Sequence, residues 1–212
     1  MKRILSALLA ALMVALALAG CASKPAEERV YTVGICQLVT HEALDAATKG
    51  FKDALIEALG EEHVKFDEQN AAGSADVCAT IANNFASKNV DLILANATSA
   101  LQACANATAT IPILGTSITE YGVALGIDNF TGTVGGNISG TSDLAPLDQQ
   151  AQMIVDLVPG VKTVGLLYCS AEPNSAYQVK VVKDELSKKG VSASEYAFSD
   201  TNDVAAVAQK AS

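Results

Sequence analysis

One repeated unit limits what this chain can fold into: a short run of β-formers, a polar turn, then a long amphipathic helix. Residues 30–59, VYTVGICQLVTHEALDAATKGFKDALIEAL, set the pattern. Val30, Tyr31, Thr32, Val33 and Ile35 favour a strand, with Gly34 its one weak point. After a polar turn at 37–41, Leu44, Ala47, Phe51, Ala54, Leu55 and Ala58 recur at three- and four-residue spacing. That spacing is the apolar stripe of a helix lying against a sheet. Thr40 is the expected N-cap, with Glu42 and Asp45 in the first turn, where the helix dipole favours negative charge. Ligands of open α/β sheets sit outside the carboxyl ends of the strands. Residues 37–41 are therefore expected to face a crevice.

The unit then recurs. A weakly alternating strand at 63–69 belongs nearer a sheet edge, and a turn at 70–74 caps a helix over 75–88. The continuous apolar run at 91–95 reads as a central parallel strand. A helix over 100–108, a strand at 111–115 and a turn at 116–120 follow. Residues 121–131 read as loop with at most one helical turn, and the glycine-rich 133–140 as a short strand entering a hinge. Pro146 opens a helix that ends by Val158. The pattern restarts with a strand at 161–169, a turn at 170–175, a helix over 176–189, a strand at 191–198 and a helix from Asp203. This double alternation, broken by a Gly/Ser/Pro-rich stretch near 135–147, predicts two α/β lobes. The first spans 30–140 and looks complete. The second, 141–212, starts with the hinge crossover, has two strands and stops within a helix. It reads as an incomplete lobe, and the sequence as a fragment.

With 212 residues, 50% of them apolar, there is enough chain for one domain with a good core or one and a half smaller ones. A net charge of -9 argues against nucleic acid or an anionic membrane surface as partner. With no Trp and only five Phe and five Tyr, an aromatic nucleic-acid platform is not available either. Residues 1–21 are not part of the fold: a basic start, an apolar run, then Leu18-Ala19-Gly20-Cys21. This looks like a bacterial lipobox, with cleavage before Cys21 and lipid on that cysteine; an ordinary signal peptide with an incidental Cys is the alternative. Residues 22–29 form a polar tether. The expected location is extracytoplasmic, lipid-anchored to the bacterial cell membrane.

Cys36, Cys78, Cys104 and Cys169 form no CxxC pair and no metal-ligand spacing with His41 or His63, so no metal is expected. Buried free thiols are the simpler reading; pairing, with its three connectivities, stays open. The sequons at Asn96, Asn106, Asn129 and Asn137 read as composition rather than glycosylation.

Five turns share one sheet end if the strands are parallel: 37–41, 98–99, 116–119, 141–143 and 172–175. Four are rich in hydroxyls, and several precede helices. Hydroxyls and free N–H groups at helix N-termini suit a carboxylate or phosphate oxygen, although the same residues are also plain N-caps. Asp45 and Glu172 are acids that could meet an ammonium group. No dinucleotide fingerprint, P-loop or nucleophile elbow is present. His41 reads as a capping or solvated residue rather than a base, so neither a catalytic residue nor a cofactor is expected.

GICQLVTHEALDAATKGFKDAL, the NAAGSADV turn and DLILANATSALQA together resemble bacterial ABC-transporter substrate-binding proteins of the tryptophan/tyrosine type. IPILGTSITE, the GTSD at 140–143 and VGLLYCSAEPNS continue the same order of motifs. The resemblance implies two Rossmann-like lobes of the periplasmic-binding-protein-like type I fold, closing on a small molecule delivered to a membrane permease driven by an ATPase. By position, Gln37, Thr98, Ser99, Thr119 and Ser142 would line the first lobe's wall, and Glu172, Asn174 and Ser175 would reach in from the second. Glu120-Tyr121 departs from the Asp-Pro such proteins often carry, which leaves that turn's shape open. The expected ligand, from the resemblance, is an amino-acid-like molecule with an aromatic side chain. A ligand sensor for a membrane receptor, or a binding protein for another solute, are the alternatives.

Overall fold

The computed structural model describes residues 29–199 and 201–211; the expected signal peptide, Cys21 and the expected tether up to residue 28 lie outside the described residues. The first lobe is one parallel sheet in the order β2-β1-β3-β4-β5. Its strands are β1 (Tyr31–Gln37), β2 (Val64–Asn70), β3 (Leu92–Asn96), β4 (Ile113–Ile118) and β5 (Ile138–Ser142). The helices are α1 (Glu42–Leu59), α2 (Ala75–Lys88), α3 (Thr98–Ala107) and the short α4 (Tyr121–Leu125). The chain runs outward from β1 to β2 and then crosses to β3. The sheet order therefore reverses between β1 and β3, which is where such folds open a crevice.

Alternation along the strands sorts side chains onto two faces. Val33, Ile35 and Leu94 face α1 and pack with its Phe51 and Leu55. Cys36, Ile93, Ala95 and Ile113 face the other way, against Ile81 and Phe85 of α2 and Leu101 and Cys104 of α3. Gly34, the weak β-former, has a packing reason: a Cβ there would sit 2.7 Å from the Phe85 ring. The edge position of β2 and the central position of β3 agree with their patterns.

The second lobe has a parallel pair, β6 (Thr163–Cys169) and β7 (Ser192–Phe198). Helices α5 (Leu147–Leu157), α6 (Pro173–Lys188) and α7 (Val204–Ala211) accompany it. Its core gathers Ala151, Leu186 and Val191, with Val164, Leu166 and Val182 against them.

Several boundaries differ from the sequence reading. Residues 116–118 are not a turn but the end of β4, because Ile118 is fully buried and draws the strand on past a register shift between Gly115 and Ile118. Thr141 and Ser142 likewise belong to β5, which stays paired to β4, so the expected lobe boundary at 140/141 falls within that strand. Thr98 and Ser99, and Asn174 and Ser175, lie in the first turns of α3 and α6 rather than before them. His41, not Thr40, caps α1: its Nδ1 accepts from the Ala43 N–H at 3.2 Å. The Thr40 hydroxyl instead accepts from Asn70 Nδ2 at 3.3 Å, tying the turn after β1 to the end of β2.

Candidate functional site

At the switch point, the last residues of β1 and β3 carry amides on the α1 side. Gln37 and Asn96 are 5% and 0% exposed, and a buried polar group needs partners. Thr48 of α1 supplies them. Its hydroxyl donates to Gln37 Oε1 at 2.7 Å and accepts from Asn96 Nδ2 at 2.9 Å. Gln37 Nε2 donates to the Val39 carbonyl at 2.9 Å and to Asp45 Oδ1 at 2.6 Å, while Asn96 Nδ2 also donates to the Leu44 carbonyl at 2.8 Å. This network fixes the 37–41 turn and the start of α1 over the ends of the two strands. Asn96 Oδ1 is buried without a hydrogen-bond partner.

The helix starts differ in a way that matters for binding. α1, α2 and α4 are capped by side chains: His41, Ser74 (accepting from Val77 N–H at 3.3 Å) and Glu120 (from Gly122 and Val123 N–H at 2.9 and 2.6 Å). α3 is not. Its N-cap is Ala97, at φ +90°, whose side chain cannot accept a hydrogen bond. A left-handed alanine is strained backbone of the kind that clusters at ligand sites. α6 also starts without a side-chain cap bond, at Glu172 followed by Pro173; there Glu172 Oε2 accepts from the Ser175 hydroxyl at 3.0 Å. An uncapped helix start leaves N–H donors and the positive dipole end for an incoming anionic group.

These two starts come from opposite lobes and meet at one cleft. A small chamber of about 240 Å³ is lined on the first-lobe side by Leu38, Val39, His41, Leu44, Ala97, Thr98, Ser99 and Ser117, and on the other by Glu172 and Asn174. It shares Leu38, Val39, Ser99 and Glu172 with a larger cleft of about 1000 Å³. One part of that cleft is apolar, with Leu167, Val179 and Phe198 of the second lobe facing Ala72 and Ala75 of the first. Cys169 and Ser175 also line it.

Thr98, Ser99, Glu172, Asn174 and Ser175 are thus brought together. The other three expected wall residues are not. Gln37 lines neither space, its amide being engaged with α1. Thr119 is 8% exposed, and its carbonyl accepts from the Ser142 hydroxyl at 2.8 Å. That hydroxyl in turn accepts from the Leu144 N–H at 3.2 Å. Both residues hold the β4–β5 junction instead. The register shift presents Ser117, at φ +56°, to the chamber in place of Thr119. A bulge is a property of pairing with β5, so only the hydroxyl-rich run 116–119 hinted at Ser117.

Two further groups lie behind the wall. Tyr121 is buried with its hydroxyl between the carbonyls of Gly115 (3.1 Å) and Thr141 (3.2 Å), and burial, with the Asp143 charge adding, pushes it up to about 12. The turn at Glu120-Tyr121 therefore begins α4 and braces β4 against β5. Cys36, Cys78 and Cys104 are free, fully buried thiols in the core between the sheet and α2 and α3; the hydrogen-bonded Cys104 sulfur is the main cause that pushes Cys36 up to about 12. Among the described residues no group of three or more His, Cys, Asp or Glu is placed to hold a metal ion.

Comparison with known proteins points one way. The family model described as ABC transporter substrate binding protein matches residues 32–212. A tyrosine-binding protein of Clostridioides difficile is 34% identical, over 96% of this chain and 62% of its own length. An ABC domain from Streptococcus pneumoniae in complex with L-Trp is 35% identical, with a TM-score of 0.78 over 84% of this chain and 60% of that one. The ligand-free, open structure of a substrate-binding protein with adhesive properties from Clostridium difficile is 37% identical, with a TM-score of 0.61 over 85% and 62%. The chain thus spans about three-fifths of the length of these relatives. It superposes better on the L-Trp complex than on the open structure, although the latter is slightly more identical.

Proposed function

The chain belongs to the family of ABC transporter substrate-binding proteins, and from that premise we propose that it is the extracytoplasmic solute-binding component of an ABC importer. Proteins of this family are extracytoplasmic and bind substrates without being enzymes. In this reading the two lobes close on a small amino acid, aromatic by preference. A permease and an ATPase are its partners, and a lipid on Cys21 tethers it to the cell membrane.

The observation that carries the reading is the meeting of two helix starts without side-chain caps, one from each lobe, at a single chamber. The ligand's carboxylate takes the free N–H groups at the start of α3, with the hydroxyls of Thr98, Ser99 and Ser117 around it. Its ammonium faces Glu172, beside Asn174 and Ser175. The side chain extends into the larger cleft, between Leu38 and Val39 on one side and Leu167 and Phe198 on the other. Ser142 has no part in this arrangement, since its hydroxyl is engaged at the β4–β5 junction. The tyrosine-binding relative and the L-Trp complex support an aromatic side chain, and the better fit to the L-Trp complex supports a closed cleft.

Thermal-shift measurements with the twenty amino acids test it. A ligand at 100 times its dissociation constant adds roughly 2.7 kcal/mol to the folded state. Aromatic amino acids are expected to give the largest upward shifts. No shift with any aromatic or aliphatic amino acid would remove the amino-acid assignment.

A further inference from the structure

His41 caps α1 and also lines this cleft. Its backbone is extended (φ -157°, ψ 137°), and its Nδ1 accepts from the Ala43 N–H at 3.2 Å. A ring nitrogen that accepts a hydrogen bond carries no proton, so the neutral ring holds its one N–H at Nε2. The cap therefore selects the tautomer. Among the described residues no carboxylate pairs with this ring, whose only hydrogen bond is the cap itself. The side chain is exposed and lines the chamber beside Ala97, Thr98, Ser99 and Ser117, across from Glu172 and Asn174.

Charge is divided between the chamber walls. The first lobe offers helix N–H groups, hydroxyls and an imidazole, and no acid. The one carboxylate, Glu172, comes from the second lobe. That division fits a zwitterion lying across the cleft, its carboxylate toward the first lobe.

We propose that His41 is a ligand-binding residue whose Nε2–H donates to the carboxylate of the bound amino acid, so that the helix cap orients a recognition group. This rests on the amino-acid reading above. It assigns His41 a part in selecting free amino acids over carboxyl-blocked analogues.

The test is calorimetric titration of the full chain and of His41→Ser with L-tryptophan, L-tyrosine and L-phenylalanine, and with the corresponding carboxamides. Serine keeps an N-cap and removes the imidazole donor. Loss of one hydrogen bond to a charged group is expected to weaken the amino acids about tenfold, and the amides less than about threefold. The unfolding temperature without ligand should stay within about 2 °C of wild type. His41→Asp, which also caps but sets a negative charge against the carboxylate, should weaken the amino acids further and again spare the amides. Equal affinity of His41→Ser and wild type for the amino acids overturns the proposal, as does an equal loss for acids and amides, which would make His41 a shape element of the wall. A wild type that binds none of the three amino acids overturns the amino-acid reading itself, and this inference with it.

Discussion

Replacing Gln37 by methionine separates a structural role for this residue from a ligand-binding one. Methionine fills a similar volume but removes both polar atoms of the side chain. In the structure those atoms make four bonds: Oε1 accepts from the Thr48 hydroxyl at 2.7 Å and, at a long 3.5 Å, from Asn96 Nδ2, and Nε2 donates to the Val39 carbonyl at 2.9 Å and to Asp45 at 2.6 Å. The two short neutral bonds contribute about 1 kcal/mol each, and the long bond from Asn96 and the bond to the exposed Asp45 add less. The Thr48 hydroxyl, 3% exposed, would then lack an acceptor at a cost of about 1 kcal/mol. The expected destabilisation is about 2–3 kcal/mol, read as a lower urea midpoint at unchanged slope. Ligand affinity should change by less than about threefold. Thr48→Val breaks the same network from the other side, so the double variant should cost about 1 kcal/mol less than the sum of the singles. An unchanged midpoint with a tenfold loss of affinity would refute this placement and return Gln37 to the binding wall.

Four other outcomes follow from the same geometry. Gly140→Ala should fail to fold or lose several kcal/mol, since its Cβ would sit 2.1 Å from the Gly115 carbonyl and 2.3 Å from the Tyr121 hydroxyl; recovery of soluble protein measures it. Ala97→Gly should raise the unfolding temperature by relieving a φ of +90°, by about 1 kcal/mol. Tyr121 has its folded pKa raised from 10 to about 12, so its contribution is fully present below pH 10 and is lost as pH rises through 12. Alkaline unfolding of wild type, but much less that of Tyr121→Phe, should show this loss of about 2–3 kcal/mol. Of the four described cysteines, only the partly exposed Cys169 should react rapidly with a thiol reagent in the native state, and all four after denaturation.

The alternation of strands and helices, the edge and centre of the first sheet, and the cleft-lining segments at 37–41, 98–99 and 172–175 were legible in the chain, whereas 116–118 and 141–142, which read as turns, are strand ends. Each depends on local periodicity and on the rule that parallel strands carry their ligand loops at one end. The family resemblance, too, was carried by contiguous motifs, and the family match covers the same stretch. The part of the wall at Thr98, Ser99, Glu172, Asn174 and Ser175 was readable because those residues sit at helix starts, where sequence and position coincide.

Other parts were set by pairing and packing at long range. Whether Ser117 or Thr119 meets the cleft depends on a bulge against β5, more than twenty residues downstream. Whether Gln37 binds a ligand or a helix depends on Thr48 and Asn96, which approach it only once α1 and β3 lie beside β1. Caps show the same contrast. A helix start that carries a hydroxyl or carboxylate looks capped in the sequence, and only the folded backbone reveals that α3 and α6 were left open. The local chain thus determined the kind of cleft this protein has. Tertiary structure decided which donors remain free within it, because a buried polar group goes to whichever partner the packed neighbours bring within reach.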